Sequence, residues 1–185
     1  MQVIVDAMDG ANGSVGVTPT GVIVVRLLAS ALMAAVIGWE RSFSQKPAGA
    51  RTMIMIGVGA AAFALLGEEL LVARAASEGV TADPTRVLAY IISGVGFLGA
   101  GTILHSKKSI SGLTTAATIW AVAALGASCG VGELRLAGIV FAFIAGTMIL
   151  PHLFWKLGDL EFLGDESGDD ANALRDAEAA GPDAR

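Results

Sequence analysis

The sequence predicts an all-α integral membrane protein, a compact bundle of about five transmembrane helices. Of its 185 residues, 54% are hydrophobic and 16% are charged, which is more apolar and less charged than ordinary soluble domains. The apolar residues also come in long blocks with few charges, and each block is close to the roughly 20 residues that cross a bilayer. A soluble fold would leave too little polar surface, so one membrane domain is expected.

Five blocks are long enough to span, and they divide the chain into three parts. The blocks are residues 21–39, 52–71, 87–104, 113–128 and 136–154. We therefore expect a polar N-terminal segment (1–19), a transmembrane domain (20–156) and a flexible acidic C-terminal tail (157–185). The tail holds most of the excess acid behind the net charge of −5, and after Leu163 it lacks aromatic residues, so it cannot bury enough apolar surface to fold. The first residues lack a basic region, which favours an uncleaved signal anchor.

The basic residues of the short loops predict the orientation. With the amino terminus outside, six Lys/Arg residues face the cytoplasm and three face outward. The inner ones are Arg41, Lys46, Arg51, Lys107, Lys108 and Lys156, and the outer ones are Arg74, Arg86 and Arg135. Trp39 and Trp155 fall at the inner ends of their blocks, where aromatic rings sit among headgroups. The expected topology is N-out and C-in, in a bacterial plasma membrane.

Small residues at four-residue spacing predict where the helices pack. Membrane helices associate through close contact, which small side chains permit. Such positions are Ser30, Ala34 and Gly38 in the first block, Gly57 and Ala61 in the second, Gly96 and Ala100 in the third, and Gly138, Ala142 and Gly146 in the fifth. We expect a tight bundle without a wide pore. A shift of 63 residues aligns Gly38 and Gly49 with Gly101 and Gly112, which suggests two repeated hairpins plus one helix, although chance matches are common in so Ala/Gly-rich a chain.

The segment from Ser93 to Gly101 is unusual because it carries four glycines, Gly94, Gly96, Gly99 and Gly101, within a spanning block. Each glycine weakens a helix, so their density requires a reason. One interpretation is close backbone approach by a neighbouring helix, and the other is an unwound or hinged segment that exposes carbonyl groups. The spacing does not fit a dinucleotide-binding loop.

Charged residues near the outer membrane face predict an ion pair. Arg26 lies several residues inside the first block, where an unpaired charge is costly. Asp83, Glu68 and Glu69 lie at similar depth, and we expect Asp83 to be the partner, with snorkelling of Arg26 as the alternative. Asp83 also has the position of a helix N-cap, followed by Pro84 and Arg86.

At the inner face, Glu40 and Arg41 end the first helix, and Arg51 and Thr52 open the second. A network from Glu40 to Arg51 or Lys108 competes with simple solvated anchoring. His105 and His152 are isolated, Cys129 is the single cysteine and fits a small helix residue, and no nucleophile–base arrangement is present. We therefore expect no enzyme, no cofactor and no nucleic-acid partner; a Mg²⁺ site lacks a ligand cluster.

Together these motifs resemble the MgtC/SapB family of bacterial inner-membrane proteins. The matching segments are Gly38-x-Glu40-Arg41, residues 46–52 with Gly49, Arg51 and Thr52, Asp83-Pro84-x-Arg86, residues 92–101, Gly112 to Ala117 with Thr114 and Thr115, Trp120, and Cys129-Gly130-x-Gly132. Arg26 begins the matching region. Many members carry a soluble ACT-like domain after the last helix, which we do not expect here.

The resemblance implies a role in growth under magnesium limitation and, in pathogens, survival inside macrophages. It also implies action on the F-type ATP synthase. The first hypothesis is a regulatory protein that binds lipid-embedded partners through its small-residue faces, self-association included. The second is a transporter or channel for Mg²⁺ or another cation. Transport requires oxygen ligands near mid-membrane, and there the sequence offers Ser93, Thr115, Thr118 and backbone carbonyls, with no carboxylate.

Overall fold

The computed structural model describes residues 18–78, 83, 85–105 and 110–157, and five helices run through this part of the chain. We number them α1 (Thr20–Phe43), α2 (Ala50–Glu78), α3 (Thr85–Ala100), α4 (Leu113–Gly130) and α5 (Leu134–Leu157). Strands β1 (Leu104–His105) and β2 (Ile110–Ser111) form a two-residue antiparallel pair between α3 and α4. The predicted all-α membrane class is confirmed. The expectations for residues 1–17 and for the tail from 158 onward lie outside the described residues.

Three of the helices are long and apolar enough to cross a membrane. They are α1, the part of α2 from Ala50 to Val72, and α4. The apolar stretches Thr85–Ala100 of α3 and Leu134–Met148 of α5 are shorter. Many large apolar side chains face outward, as expected where lipid replaces water around the bundle; examples are Leu32, Val36, Phe63, Tyr90, Phe97 and Phe143.

The third helix ends earlier than its apolar block. The sequence predicted a span to Leu104, whereas α3 ends at Ala100. The hydroxyl of Thr102 donates to the carbonyl of Gly99 at 2.7 Å, and the backbone N–H of Thr102 donates to the same carbonyl at 2.9 Å. These bonds satisfy a terminal carbonyl and turn the chain into β1. Apolar content alone did not reveal this stop, because Ile103 and Leu104 are as apolar as the helix.

Helix α4 is the centre of the bundle, since it packs against α1, α2, α3 and α5. Where α4 crosses α2, the two backbones lie in direct contact. A Cβ added at Gly126 would overlap the carbonyl of Gly57, and one added at Gly130 would overlap the carbonyl of Ala61. Small residues four apart thus set this contact. Gly57 and Ala61 were predicted to pack in this way, but their partners Gly126 and Gly130 on α4 were missed, although they have the same spacing.

Two of the predicted small-residue faces do not pack within the bundle. A Cβ added at Gly96, Gly138 or Gly146 would meet nothing within 4 Å. The prediction that α3 and α5 use these glycines for contacts inside the bundle is therefore wrong. The other faces hold: Ser30, Ala34 and Gly38 are all buried on α1. Four-residue spacing marks a face that permits close approach, but it does not say whether a neighbour is present.

Candidate functional site

Charged residues cluster at two ends of the bundle. Arg26 and Arg41 lie fifteen residues apart on α1, which places them about 22 Å apart along the helix axis at 1.5 Å per residue. We call the group of Arg26, Glu68, Gly130 and Gly132 the Arg26 end. The group formed by Arg41, Thr115 and the α1–α2 loop is the Arg41 end.

At the Arg26 end, one guanidinium joins three helices. Nη1 of Arg26 lies 2.8 Å from Oε2 of Glu68 on α2, and it donates a second bond of 2.8 Å to the carbonyl of Gly130 at the end of α4. The side chains of Arg26 and Glu68 are 17% and 36% exposed. The last carbonyls of a helix carry partial negative charge, so a cation there is stabilising. Arg26 therefore serves α4 as a C-terminal cap as well as an ion-pair partner.

Gly132 makes room for this guanidinium. A Cβ at Gly132 would lie 2.5 Å from Nη2 of Arg26, and the residue has φ of +85°, where side chains are disfavoured. The positive φ disfavours any other residue at this position, and an added side chain would also displace the end of the Arg26 side chain. The sequence analysis singled out Cys129-Gly130-x-Gly132 as a motif without a structural reason. The structure supplies one, because Gly130 and Gly132 both contact the guanidinium of Arg26.

The predicted partner of Arg26 was wrong. Asp83 is exposed, and its Oδ1 accepts bonds from the hydroxyl of Thr85 at 2.7 Å and from the N–H of Thr85 at 2.9 Å. The Thr85 hydroxyl bond, with the Thr85 backbone bond and the charge of Arg86 adding to it, lowers the pKa of Asp83 below its usual value. The capping role of Asp83 is confirmed, whereas the ion pair goes to Glu68, which the sequence had placed at similar depth. Pro84 lies outside the described residues.

At the Arg41 end, a buried arginine links α1 to α4. Arg41 is 3% exposed and Thr115 is 2% exposed, and Nη2 of Arg41 donates to Oγ1 of Thr115 at 2.5 Å. Arg41 stands in the last turn of α1, where a cation is favourable, and Thr115 stands in the first turn of α4. This contact between residues 41 and 115 was not anticipated, although both residues were singled out as motif members.

The α1–α2 loop is held by Ser42, which the sequence reasoning missed. Its hydroxyl donates to the carbonyl of Gly38 at 2.9 Å and accepts from the N–H of Ala50 at 3.0 Å, so one side chain ties the end of α1 to the start of α2. Gly38 and Gly49 permit this: a Cβ at Gly38 would lie 2.5 Å from Cα of Ala50, and one at Gly49 would lie 2.5 Å from Oγ of Ser42. The available signal in the sequence was a hydroxyl residue between Gly38, in α1, and Gly49, in the loop.

The expected network between Glu40 and Arg51 is not formed. Glu40 accepts a bond of 2.8 Å from the hydroxyl of Ser44, and Arg51 and Thr52 are exposed. Within the described part of the chain Arg51 makes no hydrogen bond or ion pair, so the anchoring alternative fits better for this residue. Lys108 lies outside the described residues.

The start of α4 depends on Gly112. This residue has φ of +86°, and a Cβ there would overlap the carbonyl of Thr102. Its position lets the turn after β2 pass close to the end of α3. Thr114 is exposed, and its carbonyl accepts the hydroxyl of Thr118 at 2.7 Å.

The four glycines of the segment from Ser93 to Gly101 have different surroundings, and α3 is continuously helical through the first three of them. The interpretation as an unwound segment is therefore wrong for Gly94, Gly96 and Gly99, whereas a hinge in this helix stays a prediction. A Cβ added at Gly99 would lie 3.5 to 3.7 Å from atoms of Ala116, an ordinary van der Waals contact, whereas one added at Gly94 or Gly96 would meet nothing within 4 Å. Gly101 follows the helix in the turn and is exposed. A side chain would therefore fit at Gly99, and close backbone approach by the described helices does not require glycine at any of these three positions. Gly96 lies on an open face of α3.

Between the two ends, the core is apolar. Ile37, Met53, Ile119, Val122 and Leu125 are at most 2% exposed. Of the buried polar or charged residues in the described ranges, Ser30, Arg41, Thr115 and Thr118, none carries a carboxylate. No group of three or more His, Cys, Asp or Glu residues within those ranges is arranged to hold a metal ion. Cys129 is buried in this core, and Trp120 and Arg86 are exposed on the surface.

Comparison with known proteins agrees with this arrangement. Residues 27–155 match the MgtC family. The chain is 39% identical over 140 residues to the "Putative magnesium transporter YhiD" of Escherichia coli (strain K12), a match that covers 75% of this chain and 63% of that protein. It is 43% identical over 135 residues to an "Uncharacterized protein" of Haemophilus influenzae, covering 71% and 54%.

The similarity extends to named members of that family. The chain is 39% identical over 128 residues to "Protein MgtC" of Salmonella typhimurium (strain LT2), covering 69% of this chain and 48% of that protein. It therefore spans about half to under two thirds of the curated relatives' length. No solved structure matches the chain significantly. The matched region begins directly after Arg26, contains the whole Arg41 end and Glu68, Gly130 and Gly132 of the Arg26 end, and covers most of all five helices. On this basis the chain belongs to the MgtC family of membrane proteins.

Proposed function

We propose that this chain is a regulatory protein of the bacterial plasma membrane that acts by binding another membrane complex, such as the F-type ATP synthase, during adaptation to magnesium limitation. The family resemblance supplies the physiological setting, including survival inside macrophages where the organism is a pathogen. The observation that carries the binding role is the open face of α3, formed by Ser93, Gly96, Phe97 and Ala100 at positions i, i+3, i+4 and i+7.

This open face has the properties of a helix-binding surface. All four residues are exposed, and an added Cβ atom at Gly96 would meet nothing within 4 Å. Glycines in a membrane helix weaken it, and close approach of a second helix offsets that weakness. Among the described residues no helix covers this face, so a partner helix is the group that would benefit from it.

Cation transport is the second candidate, favoured by the name of the relative YhiD, "Putative magnesium transporter". Magnesium is reluctant to lose its water shell and prefers oxygen ligands in octahedral geometry. The core between the Arg26 end and the Arg41 end offers two buried hydroxyls, Ser30 and Thr118, amid apolar side chains. A conduction path along it would require the tightly packed residues Ile37 and Val122 to separate. This arrangement favours the binding role.

Capture from membranes tests the proposal. The tagged chain, extracted in mild detergent after growth at low magnesium, should retain subunits of the ATP synthase above the level of an unrelated membrane protein. Gly96→Leu should reduce this retention at least fivefold, because the added side chain blocks close approach. Gly59→Leu is the matched control, since Gly59 is also a helical glycine facing open space, on α2.

Two results would contradict the proposal. One is equal retention by the Gly96 and Gly59 variants when both accumulate normally in the membrane. The other is saturable Mg²⁺ flux into proteoliposomes that contain the purified chain, which would establish transport.

The proposed orientation places the amino terminus outside and the carboxyl terminus in the cytoplasm. Three basic residues, Arg41, Lys46 and Arg51, lie around the α1–α2 loop, as expected for a cytoplasmic loop. A cysteine in place of Ser44, in this loop, should be protected from an impermeant maleimide in intact cells and react after permeabilisation. Native Cys129 is buried and serves as the internal blank. Labelling of Ser44→Cys in intact cells would reverse the orientation.

A further inference from the structure

We propose that Trp39, Phe43 and Arg51 form a binding surface for the headgroup of an anionic phospholipid on one side of the α1–α2 hairpin. This surface is separate from the α3 face, and its failure would leave the proposed function unchanged. It rests on helix geometry, exposure and charge.

Helix geometry places the three side chains on one side. Gly38 lies against Ala50, so these residues mark the contact line of two antiparallel helices. The next residue on each helix turns by about 100° about its own axis, and because the axes are antiparallel, Trp39 and Arg51 turn toward the same side of the hairpin. Phe43 follows Trp39 by four residues and shares its face.

The three residues are also free of cover by the rest of the bundle. Trp39 is 71% exposed and Phe43 is 86% exposed, and Arg51 is exposed as well. The apolar surface continues toward the middle of the bundle through Val36 on α1 and Met55 on α2, one helical turn away from Trp39 and Arg51. A lipid bound here would place its acyl chains along Val36 and Met55 and its phosphate at Arg51.

The positive charge of Arg51 makes this surface suitable for binding an anion. In the described part of the chain, Arg51 has neither a hydrogen bond nor an ion pair. The nearby carboxylate, Glu40, accepts a bond from Ser44, while Arg41 and Lys46 add positive charge at the same end. A guanidinium binds a phosphate group through two parallel hydrogen bonds, and anionic lipids attract basic residues close to the membrane surface.

A lipid fits this surface better than a free phosphate ion. Trp39 and Phe43 add large apolar area that an inorganic ion would not cover, and aromatic rings at helix ends favour the headgroup region. The combination of one unpaired guanidinium, two exposed aromatic rings and an apolar stripe matches the headgroup and upper acyl chains of one phospholipid.

Tryptophan quenching tests this inference. In a variant with Trp120→Phe and Trp155→Phe, Trp39 is the remaining tryptophan. Its fluorescence is measured in bilayers that contain brominated phosphatidylglycerol or brominated phosphatidylcholine, which gives the relative association of the two lipids at this site. We expect phosphatidylglycerol to be preferred about fivefold, the effect of one basic residue at an anionic membrane surface.

Matched variants assign the preference to one side chain. Arg51→Gln should bring the preference close to one, and Arg51→Lys should retain most of it. Arg86→Gln is the control, because Arg86 is also exposed in the first turn of its helix but lies beside the carboxylate of Asp83. It should leave the fivefold preference at Trp39 unchanged.

Three outcomes would overturn the proposal. They are equal association of both lipids with the parent protein, an unchanged preference in Arg51→Gln, and loss of the preference on addition of millimolar inorganic phosphate, which would indicate a free-anion site. Native mass spectrometry of the chain with its three tryptophans gives a second measurement that does not need the tryptophan substitutions. Phosphatidylglycerol should be retained less by Arg51→Gln than by Arg86→Gln, and equal retention would also count against the lipid site.

Discussion

Replacing Arg26 and Glu68 singly and together should show that these residues are coupled. Arg26→Met removes two charge-assisted bonds, one to Glu68 and one to the carbonyl of Gly130. Such bonds contribute about 1.5–3 kcal/mol each, and the partial exposure of both side chains favours the lower value, so we expect a loss of about 3 kcal/mol. Glu68→Gln keeps an oxygen acceptor and removes one charge, and about 1–2 kcal/mol should be lost.

The double variant should lose less than the sum of the two single losses. A paired group that loses its partner is left poorly compensated, and this penalty disappears when both are removed. We expect a coupling energy of about 1–2 kcal/mol, measured by equilibrium unfolding with sodium dodecyl sulfate in mixed micelles and read by circular dichroism.

Asp83→Asn provides the matched control for this cycle. Asp83 is exposed and bonds to Thr85, so its substitution should be additive with Arg26→Met. The reasoning is refuted if Arg26 and Glu68 are additive within about 0.5 kcal/mol, or if Arg26 couples as strongly to Asp83 as to Glu68.

Three further changes test the backbone contacts and the helix cap. Gly126→Ala should lower the free energy of unfolding by about 1–3 kcal/mol in the same micelles, because its Cβ would overlap the backbone of α2. Gly138 faces open space, so Gly138→Ala should be neutral or stabilising. Equal effects of the two substitutions would contradict the central role of α4. Gly132→Ala should lower the free energy of unfolding by about 1–2 kcal/mol because φ is +85°. It should also weaken the coupling between Arg26 and Glu68, and an unchanged coupling would show that the position of Arg26 does not depend on Gly132. Because the pKa of Asp83 is lowered, its carboxylate stabilises the fold at pH values above the ordinary pKa of 3.8, and this contribution is lost as the pH falls through the folded pKa. The difference in stability between the parent protein and Asp83→Asn should therefore shrink between pH 6 and pH 3. A constant difference would refute this assignment.

The sequence by itself determined the class of the protein and the positions of its five apolar helices. Long blocks of apolar residues have few folds available in a bilayer, because every backbone group must be hydrogen-bonded within the segment. The five blocks therefore became five helices, but several helix ends differ from the prediction. Helix α2 continues seven residues beyond its block, to Glu78, and α3 ends four residues before the end of its block, where the hydroxyl of Thr102 bonds to the carbonyl of Gly99 within an apolar run.

The local role of Asp83 was also readable, since an N-cap depends on residues next to it in the chain. Its side chain bonds to Thr85 two residues later. Likewise, the glycines around the α1–α2 loop were noticed, but the hydroxyl of Ser42 that they accommodate was not.

Tertiary structure decided which residues meet across long separations. The sequence placed Asp83, Glu68 and Glu69 at one depth, and depth alone could not select among them; the rotation of α2 about its axis points Glu68 at Arg26. The same holds for small residues: Gly96 and Gly126 look alike in sequence, yet Gly126 lies against the backbone of α2 and Gly96 faces outward. Four-residue spacing fixes a face on a helix, while the direction of that face depends on how all five helices pack, and for that reason α4 was recognised as the centre of the bundle only from the folded structure.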